Sequence, residues 1–352
     1  MTKHPLTASG LRGIVALGAA LLAFGPWLFD PVTLIALTQF YCMLVLALMW
    51  NLLAGYADIV TLGQHGLVGV GAYALYGFSA LGGFDPYVST LLAGLVALAL
   101  AVPIMALVFR LRTVYLAIGT WVVAETLMLT AAKLPGLGQG SGASLPLSVA
   151  RSLGANSAAR YATIYWVAFA VAAAAFAATY ALLRSPIGLG LTAMRDNEEA
   201  AGAMGVNLHR ARTIAFLTTA PFLGLAGAVI TLQKLRISPA ASFSINDWTV
   251  FVIFNVVIGG VGSLEGPVIG TLLFFVLRDT LADLGPWSFI ILGAVSIAIM
   301  ILEPRGLWGL ARRALKFDIA PVSRSASRAF AARLEAQQSP QGESEMSVRP
   351  AE

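Results

Sequence analysis

Charge is what this chain most lacks. Only 11% of its 352 residues are Asp, Glu, Lys or Arg, against about 25% in a soluble domain. Hydrophobic residues make up 58%, and the mean hydropathy is +0.82. Such a chain cannot hide its apolar surface within itself, so its solvent is lipid. Cysteine occurs once, as Cys42 inside an apolar run. That excludes an intramolecular disulfide and leaves a small packing residue. Lysine stands only at positions 3, 133, 234 and 316, and no G-x-x-x-x-G-K-[ST] phosphate loop is present, so the chain is expected to hydrolyse no ATP itself. The histidines are His4, His65 and His209. None has a cysteine or acid at ligand spacing, so no metal site is expected. The formal charge of +5 is scattered over loops and tail. This argues against nucleic acid as a partner and fits membrane orientation instead.

What is present is a series of continuous apolar runs. They leave room for roughly eight to ten membrane segments of about 20 residues each. Because the runs are continuous rather than alternating, the expected fold is all-α, a polytopic transmembrane helical bundle and not a β-barrel. Expected spans cover 12–29, 32–54, 87–109, 113–131, 161–183, 213–233, 248–264, 267–282 and 287–302. The first follows Lys3 and Arg12 and shows no clear small-residue cleavage site, so it is read as a retained span. The stretch 61–80, TLGQHGLVGVGAYALYGFSA, carries Gly63, Gly66, Gly69 and Gly71. It is either a tightly packed helix or a re-entrant one. Pro221 should kink its span. Residues 132–160 form a polar loop rich in Gly and Ser.

The segments 62–69 and 261–268 align glycines and aliphatics with one gap. Internal repeats are common among transporters, but two Gly-rich runs reach this level of similarity by chance. Lys3, Arg12, Arg110, Arg112, Arg184, Arg195, Arg210, Arg212, Arg305, Arg312 and Arg313 share one side if ten segments are counted. That side is then cytoplasmic, with both termini inside. Lys133, Arg151, Arg160, Lys234 and Arg236 fall outside and blur the bias. Residues 1–313 read as one membrane domain and 314–352 as a disordered cytoplasmic tail.

The charge that exists is concentrated in one loop, 184–212. Asp196, Glu198 and Glu199 stand near an expected helix start, where the dipole favours acids. Ala200, Ala201, Ala203 and Met204 supply a small apolar face before Gly205, and such a helix can dock into a groove on a partner. A plain solvated loop would explain the charges but not the Ala, Gly and Met among them. Within the spans, Glu125 must face a cavity or a partner, since a mid-bilayer charge costs about 2.5–3.5 kcal/mol on insertion scales. It either lines a transport path or pairs with a neighbouring helix. Gln64 and His65 are candidates for the cytoplasmic mouth of that path, with a hydrogen-bonded helix end as the plainer reading. Asn51 and Asn255 are expected to hydrogen-bond between helices.

Glu199-Ala200-Ala201, three residues and then Gly205 resemble the EAA loop of ABC importer permeases. The wider GLGLTAMRDNEEAAGAMGVN resembles the branched-chain amino-acid permeases of that class, the LivH/LivM family. So, in order, do TLGQHGLVGVGAYA, RTVYLAIGTWVVAE, VIGGVGSLEGPVIGTLL and EPRGLWGL, over roughly 30–310. The first of these is more like the longer, LivM-type subunit. Thr213-Ile214-Ala215-Phe216 departs from the Ile-x-Leu-Pro frequent after an EAA loop. The resemblance implies a non-ATPase permease moving branched-chain or related amino acids across the inner membrane of a bacterium. Its implied partners are a LivH-type second permease, two nucleotide-binding ATPase subunits and a periplasmic substrate-binding protein. ATP is bound by those partners, and the chain itself needs no cofactor. Coupling to the ATPase subunits would fall to Arg195, Asp196, Glu198, Glu199, Ala200, Ala201, Met204 and Gly205. The alternative is a stand-alone secondary transporter using Glu125 as coupling acid, which would need no docking helix. An intramembrane enzyme would need a nucleophile–base pair or metal cluster, and none is visible.

Overall fold

The computed structural model describes residues 22–111, 113–281, 284–285, 287–303 and 306–315. The expected tail from 316 onward, Lys3, Arg12, Arg112, Arg305 and most of the first expected span lie outside these residues. Of that span, 22–29 is described and includes the single turn Gly25–Leu28.

Several long helices start at a side-chain cap, in two cases followed by proline. Asp30 accepts from Val32 N and Thr33 N and opens α1 (Pro31–Asn51), which continues as a π-helical turn to Tyr56. α2 (Gln64–Tyr76) likewise runs on through Gly77–Leu81. Asp85 caps α3 (Pro86–Val108), and α4 spans Thr113–Lys133. Asn156 caps α5 (Ser157–Arg184), and Ser185 caps α6 (Pro186–Asp196). Asn197 caps the short α7 (Glu198–Ala203), and Asn207 caps α8 (Leu208–Lys234). Each such cap contributes about 1 kcal/mol, and proline at the first position loses no hydrogen bond there. α9 (Phe251–Gly259) extends a π-turn from Asn246, and α10 covers Gly266–Thr280. α11 (Trp287–Leu302) and α12 (Gly306–Leu315) follow, with a 45° bend between them. The described strands are β1 (Ala143–Ser144) and β2 (Arg236–Ile237), an antiparallel pair joining two loops. The fold is therefore the expected all-α membrane bundle.

Among the described residues six helices are long and apolar enough to cross a membrane, or seven if α11 and α12 form one bent span. α2 and α10 fall outside that set. Gln64, His65 and three glycines, Gly66, Gly69 and Gly71, make α2 less apolar, and α10 has only 15 residues. Both follow a long helix end and a non-helical glycine segment, so the two similar sequence segments occupy equivalent places. The chain does not enter α2 directly: Trp50 Nε1 donates to Thr61 O at 3.0 Å, so the non-helical residues 57–63 fold back along the end of α1.

α2 is the centre of the bundle, buried along nearly its whole length and packed against α8, α3 and α4. Its glycines permit this. A methyl on Gly71 would stand 2.0 Å from Gly224 O of α8, and one on Gly227 would stand 1.9 Å from Val68 O. Ala93, Ala97 and Ala101 present a fully buried small-residue face of α3, and Ala97 Cβ lies 2.5 Å from where a Gly224 methyl would be. Lipid supplies no hydrophobic drive between helices, so this close approach is what holds them. α8 runs as one unbroken helix through Pro221, the position expected to kink it. α1 packs chiefly on α5, where the Tyr41 and Tyr165 hydroxyls meet at 3.1 Å.

Candidate functional site

The charged loop folds as two helices at nearly a single joint. α6 buries Gly188, Gly190, Leu191 and Met194 against its neighbours and leaves Leu189 60% exposed. At Asn197 the backbone becomes extended (φ −162°, ψ 110°), and its Oδ1 accepts from Ala200 N at 2.9 Å. The chain therefore restarts as α7 in a new direction. Glu198 and Glu199 occupy the first turn of α7, as the helix dipole favours. Asp196 does not: it ends α6, where the dipole disfavours an acid, and its carboxylate takes 3.1 Å hydrogen bonds from Arg195.

α7 is pinned from below and open above. Arg212, at the start of α8, donates two hydrogen bonds to the Glu198 carboxylate at 2.9 and 3.0 Å. This fork-to-fork geometry fixes orientation as well as distance. Ala201 packs inward at 4% exposure, while Met204 is 86% exposed. Arg195, Asp196, Glu198, Glu199, Ala200 and Gly205 are exposed beside it. Gly205 sits at φ +86°, and a methyl there would meet nothing within 4 Å. Its demand is conformational: Val206 N reaches back to Ala201 O and closes the helix end. The result is a rigidly held platform with small residues and one methionine on its outer face.

Besides its packing on α5 and α8, the platform meets the end of α1 at a junction around Gly262. A methyl on Gly262 would stand 3.0 Å from Gly55 O and 3.1 Å from Arg195 Nη1. The end of α1, the loop 260–265 and the end of α6 therefore meet here. Asn51 fastens the first two, with Nδ2 donating to Ser263 O and Oδ1 accepting from Gly262 N, both at 2.8 Å. Gly306 presses on Gly260 from the α12 side. Asn51 thus bonds as expected, though to a loop. Asn255 does not: its amide is buried and has no hydrogen-bond partner among the described residues.

Glu125, Gln64 and His65 form a second locus. Gln64 Nε2 donates to Trp248 O, and His65 Nδ1 meets Thr249 Oγ1 at 3.0 Å. Both residues are buried, and both tie the start of α2 to the π-turn before α9. His65 Nε2 has no hydrogen bond; Glu125 Oε1 stands 3.7 Å away, too far for one. Trp121 Nε1 donates to the same carboxylate oxygen at 3.1 Å. Glu125 lies about 18 Å along α4 at about 1.5 Å per residue, with its side chain 37% exposed. α4 is the least covered of the six spans, and Val114, Tyr115, Ile118 and Val122 lie exposed beside it. Among the described residues no group of three or more His, Cys, Asp or Glu could hold a metal ion.

Thr249, Trp248 and the Glu198–Arg212 fork had no signal in the sequence. Their partners are far away along the chain, and nothing in a single sequence pairs them.

Comparison with known proteins gives one consistent result. A family described as "Branched-chain amino acid transport system / permease component" matches residues 32–302. The high-affinity branched-chain amino acid transport system permease protein LivM of Escherichia coli (strain K12) is 28% identical over 308 residues, which is 81% of this chain and 71% of that protein. A probable branched-chain amino acid transport permease protein LivM of Methanocaldococcus jannaschii is 26% identical over 40% of this chain and 45% of its own. The ribose import permease protein RbsC of Haemophilus influenzae is 27% identical over 39% and 43%. No solved structure matches the chain at a significant level.

Proposed function

The chain belongs to the branched-chain amino acid transport permease family, and from that premise we propose that it is the LivM-type permease subunit of an ABC importer. It is a multi-pass membrane protein, and we place it in the inner membrane of a bacterium with both termini in the cytoplasm. Residues 1–313 form the permease domain. ATP is bound and hydrolysed on two separate subunits, so the chain needs no cofactor. Branched-chain or related amino acids are the cargo, delivered by a periplasmic binding protein.

The observation that carries this reading is the α6–α7 platform. Glu199, Ala200, Met204 and Gly205 lie exposed on a short helix that Asn197 and the Glu198–Arg212 fork hold in one orientation. A solvated loop needs neither device. Arg195 and Asp196 complete the platform, with Ala201 seating it. Closing of the ATPase subunits pushes on α7, and the junction at Arg195, Gly262 and Asn51 passes that displacement to α1, α9 and α10. Two arrangements of the bundle, biased by the partners' nucleotide state, give alternating access.

The transport path runs beside α4. Glu125 stands half-open on a face of membrane depth, where lipid cannot solvate a carboxylate. A LivH-type second permease covers that face, and Glu125 meets the ammonium of the cargo, with His65 and Gln64 behind it. The test is uptake into cells expressing the whole importer. Replacing Glu199 and Gly205 together with arginine should abolish uptake while the chain still inserts. Normal uptake would remove the coupling role from this loop. A chain that purifies without ATPase subunits, yet catalyses counterflow in liposomes, would instead make it a secondary carrier centred on Glu125.

A further inference from the structure

Five basic residues break the charge bias that orients the chain, and coupling to ATPase subunits uses none of them. Lys133, Arg151, Arg160, Lys234 and Arg236 lie at the end of the bundle opposite the α6–α7 platform. α8 sets that separation, since it leaves the platform at Leu208 and reaches Lys234 after 27 residues, about 40 Å.

The fold gathers four of the five into one rim. β1 pairs with β2 so that Ser144 faces Arg236, and Leu145 N donates to Leu235 O at 2.9 Å. Upstream of β1 the chain curls back over the end of α4. A methyl on Gly142 would stand 2.3 Å from Ile237 O, and one on Gly140 would stand 4.0 Å from Ala132 O. Lys133 and Arg236 are thus each one residue from a contact at an end of one three-residue stretch, 140–142. Arg151 sits on the helical turn Leu147–Ser152 that β1 leads into. The bend is built from Gly136, Gly138, Gln139, Gly140 and Gly142, all at positive φ.

No carboxylate within the described fold neutralises these charges. Lys133, Arg151, Lys234 and Arg236 are exposed, and none forms an ion pair among the described residues. Lys234 Nζ lies 5.3 Å over the Trp248 ring, which positions it without neutralising it. Asp247, half-buried next to Trp248, pairs with none of them. Basic residues on the translocated side also oppose the preferred orientation. Unpaired charge of one sign, held in fixed geometry where it hinders insertion, suits an external partner of the opposite sign.

We propose that Lys133, Arg151, Lys234 and Arg236 form the recognition rim for an acidic patch on the extracytoplasmic substrate-binding protein. This rests on the importer reading above. A protein is favoured over anionic lipid because β pairing and the glycine bend fix the relative positions of the charges. Fixed positions matter for matching a fixed set of carboxylates and are wasted on mobile headgroups. Such a rim steers encounter and selects the cognate partner.

The experiment uses the complete importer in nanodiscs of zwitterionic lipid, titrated with its substrate-binding protein, with stimulated ATPase as readout. In the Lys133→Glu, Arg151→Glu, Arg236→Glu variant the half-stimulating concentration should rise at least about tenfold, with the same maximum at saturation. Added salt should weaken stimulation of the unaltered complex and leave the variant nearly unaffected. A titration unchanged by the substitutions and insensitive to salt would overturn the proposal. So would a shift seen only when anionic lipid is present, which would assign the rim to headgroups. If the triple variant fails to assemble, Arg151→Gln and Arg236→Gln singly carry the test, each expected to shift the midpoint about threefold. A complex that no binding protein stimulates at all would sink the importer reading itself, an outcome distinct from failure of the rim.

Discussion

Asn51 and Asn255 offer a matched pair of buried amides, both fully buried and alike in chemistry. Replacing Asn51 by leucine keeps the volume and strands two partners, the Gly262 N–H and the Ser263 carbonyl, each now bonded at 2.8 Å. A buried backbone group left without a partner costs about 1–3 kcal/mol. Two of them in a part-buried loop should cost roughly 2–4 kcal/mol in total. Asn255 already lacks a partner among the described residues, so Asn255→Leu removes an unmet desolvation cost and should be neutral or stabilising. Thermal unfolding in detergent reads both. Asn51→Leu should lower the midpoint by several degrees, at roughly 2–4 °C per kcal/mol, whereas Asn255→Leu should hold or raise it. Because Asn51 fastens the junction under α6, its leucine variant should also lower the transport yield per ATP. Equal effects of the two substitutions on the midpoint would refute the reasoning, since only the hydrogen bonds distinguish them.

Three further expectations rest on other contacts. Removing both Glu198 and Arg212 should cost less than the sum of the single removals, with a coupling of about 0.5–1 kcal/mol because the pair is part-exposed; a cycle that closes at zero would dissolve the fork. Gly71→Ala places a methyl 2.0 Å from Gly224 O and should destabilise the bundle by about 3 kcal/mol or more, whereas Gly205→Ala meets no atom and should cost only about 1–2 kcal/mol of local strain at positive φ. Comparable losses of folded yield would contradict this contrast. Glu125→Gln should lower uptake at unchanged expression, since the Trp121 hydrogen bond survives; a change in expression alone would make Glu125 a structural partner.

Helix positions were largely legible because their starts are written locally. Asp30-Pro31 and Asp85-Pro86 each place a cap before a proline and a long apolar run, and Ser185-Pro186 opens the short α6 in the same way. The boundaries moved where tertiary contacts decide. The stretch 61–80 begins its helix only at Gln64, because Thr61 is held by Trp50. The run 248–264 stops at Gly259, because Gly260 takes φ +121° against Gly306. At the platform, the short helix and its exposed Met204 were readable from composition and spacing, while the division at Asn197 and the fork to Arg212 were not. Those depend on which residues meet after folding, as does the burial of Gln64 and His65 against the turn before α9.

The central claim, that α7 is the contact for ATPase subunits, is tested most directly by cross-linking. With Cys42→Ser as background, Met204→Cys would carry the only thiol, at an 86% exposed position. In the assembled importer, a short bifunctional maleimide reagent should join this position to a cysteine placed in the ATPase subunit's exposed groove, and the yield should change when ATP is bound. An unreacted Met204→Cys, freely labelled by a soluble maleimide in the presence and absence of the ATPase subunits alike, would contradict the claim.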